Sequence, residues 1–383
     1  MKKLFSTIIC CLICSTAFMQ VKPEWQDETI PFVGKEYPRT AFMTYSDVDK
    51  ARSNDFNTSF DYKSLNGKWK FNWVSSYKKR PVNFYKTDFD DSAWNEIEVP
   101  ANWEINGYGN ALYTNHPYEF CPRNPQPPLL PEENPVGSYR KYIEIPEQWN
   151  GKEIFLHIGA VKSGCYLYVN GTKVGYSEDS KDAVEYNITR YLKPGRNLIA
   201  LEVYRWSTGS YLECQDFWRI SGIERDVYLF AQLPLHLRDF SIRQDLDSTY
   251  KNGLFGLDLF MENTNPRQPG QVTVSYQLEN TSGTRVAEGT QTIKIDSATT
   301  VHFEAKIPQV APWTAETPNL YQLFIRIEQP GKTTEVIPFR VGFRKLEIRG
   351  NQFLVNGRAV LIKGVNYHEH DEHTGHVLSE AHM

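Results

Sequence analysis

The feature that most restricts the fold of this chain is a long series of short apolar runs separated by turn residues. In several of them, apolar and polar side chains alternate, as in residues 141–145, 154–161, 166–169 and 198–204. Asn170-Gly171 and Pro194-Gly195 supply hairpin turns between such runs. No long stretch repeats apolar residues at helical spacing, so the chain is predicted to be mainly β.

The first 17 residues have the order of a secretory signal peptide. Lys2 and Lys3 precede an apolar run over residues 4–13, and small residues follow as far as Ala17. The run is shorter than the ~20 residues that a membrane-spanning helix needs. We therefore expect cleavage after Ala17 and a secreted or periplasmic protein with no membrane span.

Charge and cysteine content exclude two classes of protein. The formal net charge is −4 and no basic block occurs, which argues against a nucleic-acid partner. Three of the six cysteines lie in the predicted signal peptide. The remaining Cys121, Cys165 and Cys214 are odd in number, which argues against a disulfide framework.

The most unusual composition lies in residues 205–225. This stretch holds three carboxylates, four aromatic side chains and three arginines between two runs with strand character. Aromatic faces beside charged hydrogen-bonding groups suit a sugar, whose C–H faces stack on rings while its hydroxyls need polar partners. A surface loop with a few buried anchors fits the chemistry equally well.

Motifs in this stretch resemble the first-domain signature of glycoside hydrolase family two, and most closely its bacterial β-galactosidases. The matching segments are GSYLE at 209–213, Gln215-Asp216 and WRISGI at 218–223. The resemblance implies that Asp216 contacts the galactose unit and a sodium ion. It also implies that Asn115, after the Leu-Tyr-Thr segment at 112–114, hydrogen-bonds the substrate.

Strand patterns and the resemblance together divide the chain into five parts. Trp69, Phe71 and Trp73 alternate on one strand face near the start of the first compact domain, and a second run of evenly spaced strands begins at Pro234. The expected parts are a signal peptide (1–17), an extended arm (18–57), a jelly-roll galactose-binding-like domain (58–233), an immunoglobulin-like β-sandwich (234–343) and the first strand of an incomplete (β/α)8 barrel (344–383).

Four histidines between 368 and 376 follow an apolar run at 360–366 that is predicted to be the barrel strand. Imidazoles and carboxylates are zinc ligands, but Glu372 stands where a metalloprotease motif would need histidine. From the residues alone, a metal site and a solvated polar loop both stay open. The resemblance implies instead that His368 binds the galactosyl unit at the end of a barrel strand.

The resemblance implies hydrolysis of terminal β-D-galactosides in carbohydrate metabolism, with no catalytic residue in this chain. The acid/base and nucleophile glutamates and the magnesium ligands are expected beyond Met383, so the chain alone is expected to be inactive. The partners are then β-galactoside sugars, and a homo-oligomer is left open for the complete enzyme. The alternatives are another family-two β-glycosidase, such as a glucuronidase or mannosidase, and a secreted carbohydrate-binding module without catalysis.

Overall fold

The structure is a computed structural model that describes residues 22–213 and 215–383. The predicted signal peptide and Cys214 lie outside the described residues. Within them, no helix is long and apolar enough to cross a membrane. Short 3-10 turns occur at Glu24–Gln26, Phe56–Thr58, Tyr77–Lys79, Glu104–Asn106, Glu147–Trp149, Thr189–Tyr191 and Thr208–Tyr211.

The N-terminal arm contains strand β1 (Phe32–Val33) and helix α1 (Val48–Ser53). Some of its aromatic side chains are buried against other parts of the chain, whereas Phe32 and Tyr37 are exposed. Trp25 is 2% exposed and stacks on Tyr204, with ring centroids 4.7 Å apart. An arm that buries such side chains is fixed to the domains it crosses.

The first domain is a two-sheet antiparallel sandwich. Its core lies between a seven-stranded sheet in the order β1-β11-β10-β13-β7-β3-β4 and a four-stranded sheet in the order β12-β8-β16-β2. Two small sheets, β14-β6 and β5-β15-β9, lie beside them. The strands are β2 (Tyr62–Ser64), β3 (Gly67–Val74), β4 (Asn95–Val99), β5 (Ala101–Asn102), β6 (Leu112–Thr114), β7 (Val136–Glu144), β8 (Glu153–Ile158), β9 (Val161–Lys162), β10 (Gly164–Val169), β11 (Thr172–Ser177), β12 (Val184–Asn187), β13 (Arg196–Tyr204), β14 (Phe217–Arg219), β15 (Gly222–Ile223) and β16 (Val227–Gln232).

Local sequence explains these strands. Trp69 and Phe71 alternate into the core at 1% exposure each, with Trp73 half-buried on the same face. Asn170 and Gly171 both have positive φ, 50° and 89°, in the turn between β10 and β11. Asparagine and glycine tolerate that conformation best, which is why this pair closes a two-residue hairpin.

The second domain is an immunoglobulin-like sandwich of two antiparallel sheets, in the orders β17-β18-β21 and β20-β19-β22-β23. Val272, Val274, Tyr276 and Leu278 alternate into the core from one strand. The predicted mainly β architecture is therefore confirmed. The strands are β17 (Leu235–Leu246), β18 (Gly253–Asn263), β19 (Gly270–Glu279), β20 (Arg285–Ile295), β21 (Ala298–Ile307), β22 (Tyr321–Glu328) and β23 (Glu335–Val341).

The arm also fills the junction between the two sandwiches. Met43 and Tyr45 pack with Phe230 of the first domain and Phe324 of the second in one buried cluster. The backbone of Tyr45 pairs with Val336 in both directions, at 2.9 and 2.8 Å. The arm thus connects the domains by both apolar contact and hydrogen bonds.

The last part begins with a small sheet of β24 (Leu346–Arg349), β25 (Gln352–Val355) and β26 (Arg358–Ala359). The predicted strand at 360–366 does not form: the segment has no ladder partner, and Leu361 and Val365 are 81% and 91% exposed. A buried parallel strand needs neighbouring strands, and the described residues supply none there. No closed barrel is present among residues 22–213 and 215–383.

Candidate functional site

The site is built on a two-stranded antiparallel sheet of β6 and β14 at one edge of the first domain. Strands β6 and β14 pair antiparallel, with Thr114 opposite Phe217. Asn115 follows Thr114 in the chain and Asp216 precedes Phe217, so both residues flank this terminal pair. Both residues are exposed. Two residues that lie about 100 positions apart in the sequence therefore leave the same end of one ladder.

Two of the three arginines in the 205–225 stretch are buried and support this two-stranded sheet. Arg205 and Arg219 are 6% and 2% exposed. The Arg205 guanidinium lies 3.0 Å from a carboxylate oxygen of Glu104 and donates to the carbonyl of Arg219 at 3.1 Å. The backbone of β14 is thereby tied to the domain core.

The three carboxylates of the stretch have different surroundings. Glu213 accepts hydrogen bonds from the backbone N–H of Ser180 at 2.7 Å and from its hydroxyl at 2.5 Å. Glu224 is 3% exposed. Asp216 alone is an exposed carboxylate, which leaves it accessible to a ligand.

His368 lies beside the same two-stranded sheet. Its ring centroid is 5.3 Å from that of Phe217, the residue after Asp216, and the side chain is exposed. Among the described residues, His368 thus contacts Phe217, the chain neighbour of Asp216, whereas Asn115 and Asp216 do not line the cleft beside that ring. The neighbouring His370 contacts Trp218 edge-on at 6.0 Å.

A cleft of about 400 Å³ opens next to Phe217 and His368. It mixes cations, acids, an amide and an aromatic ring. Its walls include Lys162, Lys181, Glu213, Gln215, Arg225 and Glu369. Burial lowers the pKa of Lys162, the most enclosed of these groups.

Behind the two-stranded sheet lies a largely buried charged network that no sequence pattern predicts. Glu224 accepts a hydrogen bond from His376 Nδ1 at 2.8 Å and pairs with Lys181 through its other oxygen. Asn102 donates to Glu224 at 3.2 Å and accepts from the His376 backbone N–H at 2.9 Å. The signal for it was two titratable residues inside stretches already singled out, but nothing in the sequence pairs them.

The network has a definite charge state. Burial by itself would raise the pKa of Glu224, but the hydrogen bond from His376 and the charge of Lys181 lower it to about 2. Burial lowers the pKa of His376 against the hydrogen bond to Glu224. At neutral pH, Lys181 is therefore the cation that balances Glu224, and a neutral His376 donates from Nδ1 because an ionised carboxylate only accepts.

No group of three or more His, Cys, Asp or Glu side chains in residues 22–213 and 215–383 is arranged to hold a metal ion. Of the histidines after residue 367, His376 is buried and His368 is exposed. Cys121 and Cys165 are free thiols.

The resemblance to glycoside hydrolase family two implies an Asn-Glu pair at a catalytic glutamate, and one such pair occurs in this chain, at Asn95-Glu96 in β4. It lies on the surface, where Glu96 is 3.8 Å from Lys68 and 4.0 Å from Lys70. β4 is the edge strand of the seven-stranded sheet, not a barrel strand, so we assign it no catalytic role.

Comparison with known families defines the class of protein first. The model for the sugar-binding domain of glycosyl hydrolases family 2 matches residues 62–234. A second family 2 model matches 235–344, and the TIM-barrel domain model of the same family matches 346–383. These are consecutive parts of a multidomain glycoside hydrolase. The chain belongs to glycosyl hydrolase family 2.

Relatives and solved structures agree with this assignment. A β-galactosidase of Priestia megaterium is 36% identical over 359 residues, which are 92% of this chain and 35% of the relative. One from Halalkalibacterium halodurans is 38% identical over 84% of this chain and 31% of its own length. The chain therefore spans about a third of the curated relatives it matches.

The fold is shared with more distant structures. A Bacteroides uniformis β-glucuronidase matches with a TM-score of 0.70 at 22% identity, over 84% of this chain and 37% of that one. A putative β-galactosidase of Bacteroides fragilis matches with a TM-score of 0.66 at 21% identity, over 84% and 46%. At such identity the likeness establishes the fold alone.

Proposed function

We propose that this chain supplies part of the substrate pocket of a β-galactosidase that hydrolyses terminal β-D-galactosides. The observation that supports the proposal is the β6–β14 pairing: Thr114 and Phe217, the chain neighbours of Asn115 and Asp216, lie opposite each other, and the His368 ring is 5.3 Å from that of Phe217. Relatives 36% and 38% identical that are β-galactosidases support galactose as the sugar.

The proposed roles follow from the chemistry of each side chain. The Asp216 carboxylate accepts hydrogen bonds from sugar hydroxyls, and a bond to an ionised acceptor is about twice as strong as a neutral one. The Asn115 amide both donates and accepts. His368 completes the set from the segment matched to the barrel, so the sugar would lie between the first domain and that segment.

A sodium ion at Asp216 belongs to the same proposal. Hard cations take oxygen ligands, and Asp216 and Asn115 offer an exposed carboxylate and an amide oxygen. These donors fit such an ion in kind. Asp216 would hold it, with Asn115 close by, and the ion would supply positive charge for sugar hydroxyl oxygens. We propose no residue of this chain as a magnesium ligand.

Hydrolysis itself needs two carboxylates flanking the glycosidic bond, about 5–5.5 Å apart in retaining enzymes. We propose that both lie in the barrel and outside this chain, which therefore binds and orients the sugar without cleaving it. Export through the N-terminal signal would place this activity outside the cytoplasm.

The test is a chimaera in which residues 22–383 replace the matching third of the Priestia megaterium β-galactosidase. It should hydrolyse a chromogenic β-galactoside faster than the corresponding glucuronide or mannoside. Asp216→Asn should lower kcat/KM roughly 10- to 100-fold, the value of one lost hydrogen bond to a charged group. The same variant should also abolish any change in kcat/KM that the chimaera shows when sodium replaces potassium.

The control variant is Asp296→Asn, another exposed carboxylate, in the turn between β20 and β21 of the second domain. It should leave kcat/KM unchanged. A folded chimaera that prefers the glucuronide, or that tolerates Asp216→Asn, would contradict the proposal. Tight galactose binding by the isolated chain, measured by saturation-transfer NMR, would favour a binding module instead.

A further inference from the structure

Asp216 and His368 come from different parts of the chain, and the residue next to Asp216 contacts His368. Phe217 directly follows Asp216, and its ring centroid is 5.3 Å from that of His368. The position of this ring therefore affects how far apart two proposed sugar-binding residues lie.

Phe217 is held by groups that take no part in the proposed sugar contacts. The imidazole of His376 stacks on it, with ring centroids 4.1 Å apart and planes inclined by 14°. The ammonium of Lys181 lies 5.1 Å from the ring centroid, within the range of a cation–π contact. Two side chains from separate segments thus fix one ring.

Both of these groups are held by a single carboxylate. Glu224 Oε1 accepts from His376 Nδ1 at 2.8 Å, and Oε2 pairs with Lys181. The side chains of Glu224 and His376 are each only 2% exposed, so solvent screens this pair little. Asn102 completes the cluster by bonding to Glu224 and to the His376 backbone.

We propose that Glu224 is a positioning residue: through His376 and Lys181 it fixes the Phe217 ring and so sets the separation of Asp216 from His368. The proposal rests on the proposed galactoside function. Glu224 itself lies behind the two-stranded sheet of β6 and β14 and contacts no sugar in this proposal.

The network is suited to this role because its central pair, Glu224 and His376, is buried. A hydrogen bond to a charged group is stronger than an average hydrogen bond. Gly375 brings the chain close to the same cluster, since a Cβ there would lie 2.5 Å from Asn102 Oδ1. The segment 371–376 therefore docks on the first domain at this point, although residues 360–370 are exposed.

The experiment uses NMR of the complete 383-residue chain with isotope-labelled histidine. Glu224→Ala should shift the His368 and His376 ring resonances, because the ring-current field of Phe217 moves relative to them. The His376 backbone amide should exchange with solvent at least ~10-fold faster, since local opening becomes easier.

The matched control is Glu202→Ala. Glu202 is also a buried carboxylate of the first domain, bonded to Tyr204 at 2.6 Å and to one cation, Arg80, at 3.3 Å. This variant should lower thermal stability and leave both histidine signals at their wild-type positions. Unchanged His368 signals in a folded Glu224→Ala chain would overturn the proposal.

A second variant keeps the proposal falsifiable if Glu224→Ala does not fold. His376→Ala removes the stacked ring and leaves the Glu224–Lys181 pair in place, so it should shift the His368 resonances as well. If it does not, Phe217 is not the link and the proposal fails.

An activity measurement separates positioning from mere stability. In the chimaera, Glu224→Ala should raise KM for the galactoside at least ~10-fold while kcat changes less, and Glu224→Asp should restore part of the loss. An equal loss in the Glu202→Ala chimaera would indicate a structural role only. A chimaera without galactosidase activity would refute the proposed function, whereas the NMR result would still decide whether Glu224 controls His368.

Discussion

Arg39 offers the sharpest test of how the N-terminal arm is held. Its guanidinium donates to both oxygens of Glu185, at 2.9 and 3.1 Å, and lies 4.7 Å from the ring of Phe42 and 4.6 Å from that of Phe230. His157 bonds to the same carboxylate at 3.0 Å. The side chains of Arg39 and Glu185 are 5% and 13% exposed.

Two routes give the magnitude for Arg39→Ala. Burial by itself would raise the pKa of Glu185, but the hydrogen bond from His157 and the charge of Arg39 lower it from 4.5 to about 2. At ~1.36 kcal/mol per pKa unit, His157 and Arg39 together contribute about 3 kcal/mol of stability at neutral pH, which is an upper value for Arg39 alone. Removing one partner of a buried ion pair costs about 3–5 kcal/mol by mutational precedent. We therefore expect a loss of about 3 kcal/mol.

The sign of the pH dependence follows from the lowered pKa. Glu185 contributes stability above its unfolded pKa of 4.5, and this contribution disappears as the pH falls through the folded value of about 2. In Arg39→Ala, the folded pKa of Glu185 rises towards its ordinary value. The variant should therefore differ most from wild type at neutral pH and less near pH 2.

Urea unfolding of the first domain, followed by tryptophan fluorescence at pH 7 and near pH 3, measures both effects. Arg190→Ala is the control, because that arginine also lies 4.8 Å from an aromatic ring, that of Tyr191, but is exposed. It should change stability by less than about 0.5 kcal/mol. If Arg39→Ala loses no more than this control, the buried pair does not hold the arm.

Burial and then the nearby Asp61 raise the pKa of Glu335 to about 8. Wild-type stability should therefore fall as the pH rises from about 4.5 through about 8. In calorimetry, Glu335→Gln should raise Tm at pH 9 and have little effect on it at pH 4. Gly137→Ala places a Cβ 2.5 Å from Trp103 and should lower Tm by roughly 4–10 °C; an unchanged Tm would show that the core relaxes freely. The intact mass of exported protein should correspond to cleavage after Ala17, and a product that retains its first residue would argue against export. The chain alone should not cleave a chromogenic β-galactoside; turnover that is lost when one of its own carboxylates is replaced would refute this.

The sequence predicts the two sandwiches because strand periodicity and turn chemistry are local. The alternation at Val272 to Leu278 and the Asn170-Gly171 turn act over a few residues, and both form in the structure. The side chains of β20 are mostly polar and partly exposed, so its sequence lacks an apolar face and does not predict a strand. A strand of that kind is recognised only by its neighbours.

The site divides in the same way. Asn115, Asp216 and His368 were identified from resemblance, since composition identified only a polar and aromatic stretch. The placement of Asn115 and Asp216 at one end of a ladder depends on pairing between β6 and β14, which are about 100 residues apart. The contact of Glu224 with His376 spans 152 positions and has no local pattern at all. Long-range pairs between polar residues are set by the whole fold, so periodicity does not reveal them.

The failure of the predicted strand at 360–366 shows how the position of His368 is determined. Leu361, Ile362 and Val365 are each at least 78% exposed, and burying each such side chain is worth about 1.5–3 kcal/mol. Covering this run would order the backbone three residues before His368, while Glu224 holds the segment eight residues after it. The two restraints are separable: Val365→Ser should affect only a protein in which the run is covered, whereas Glu224→Ala should already move His368 in the chain alone. If both variants act only in the chimaera, the His376 contact is too weak to position the site by itself.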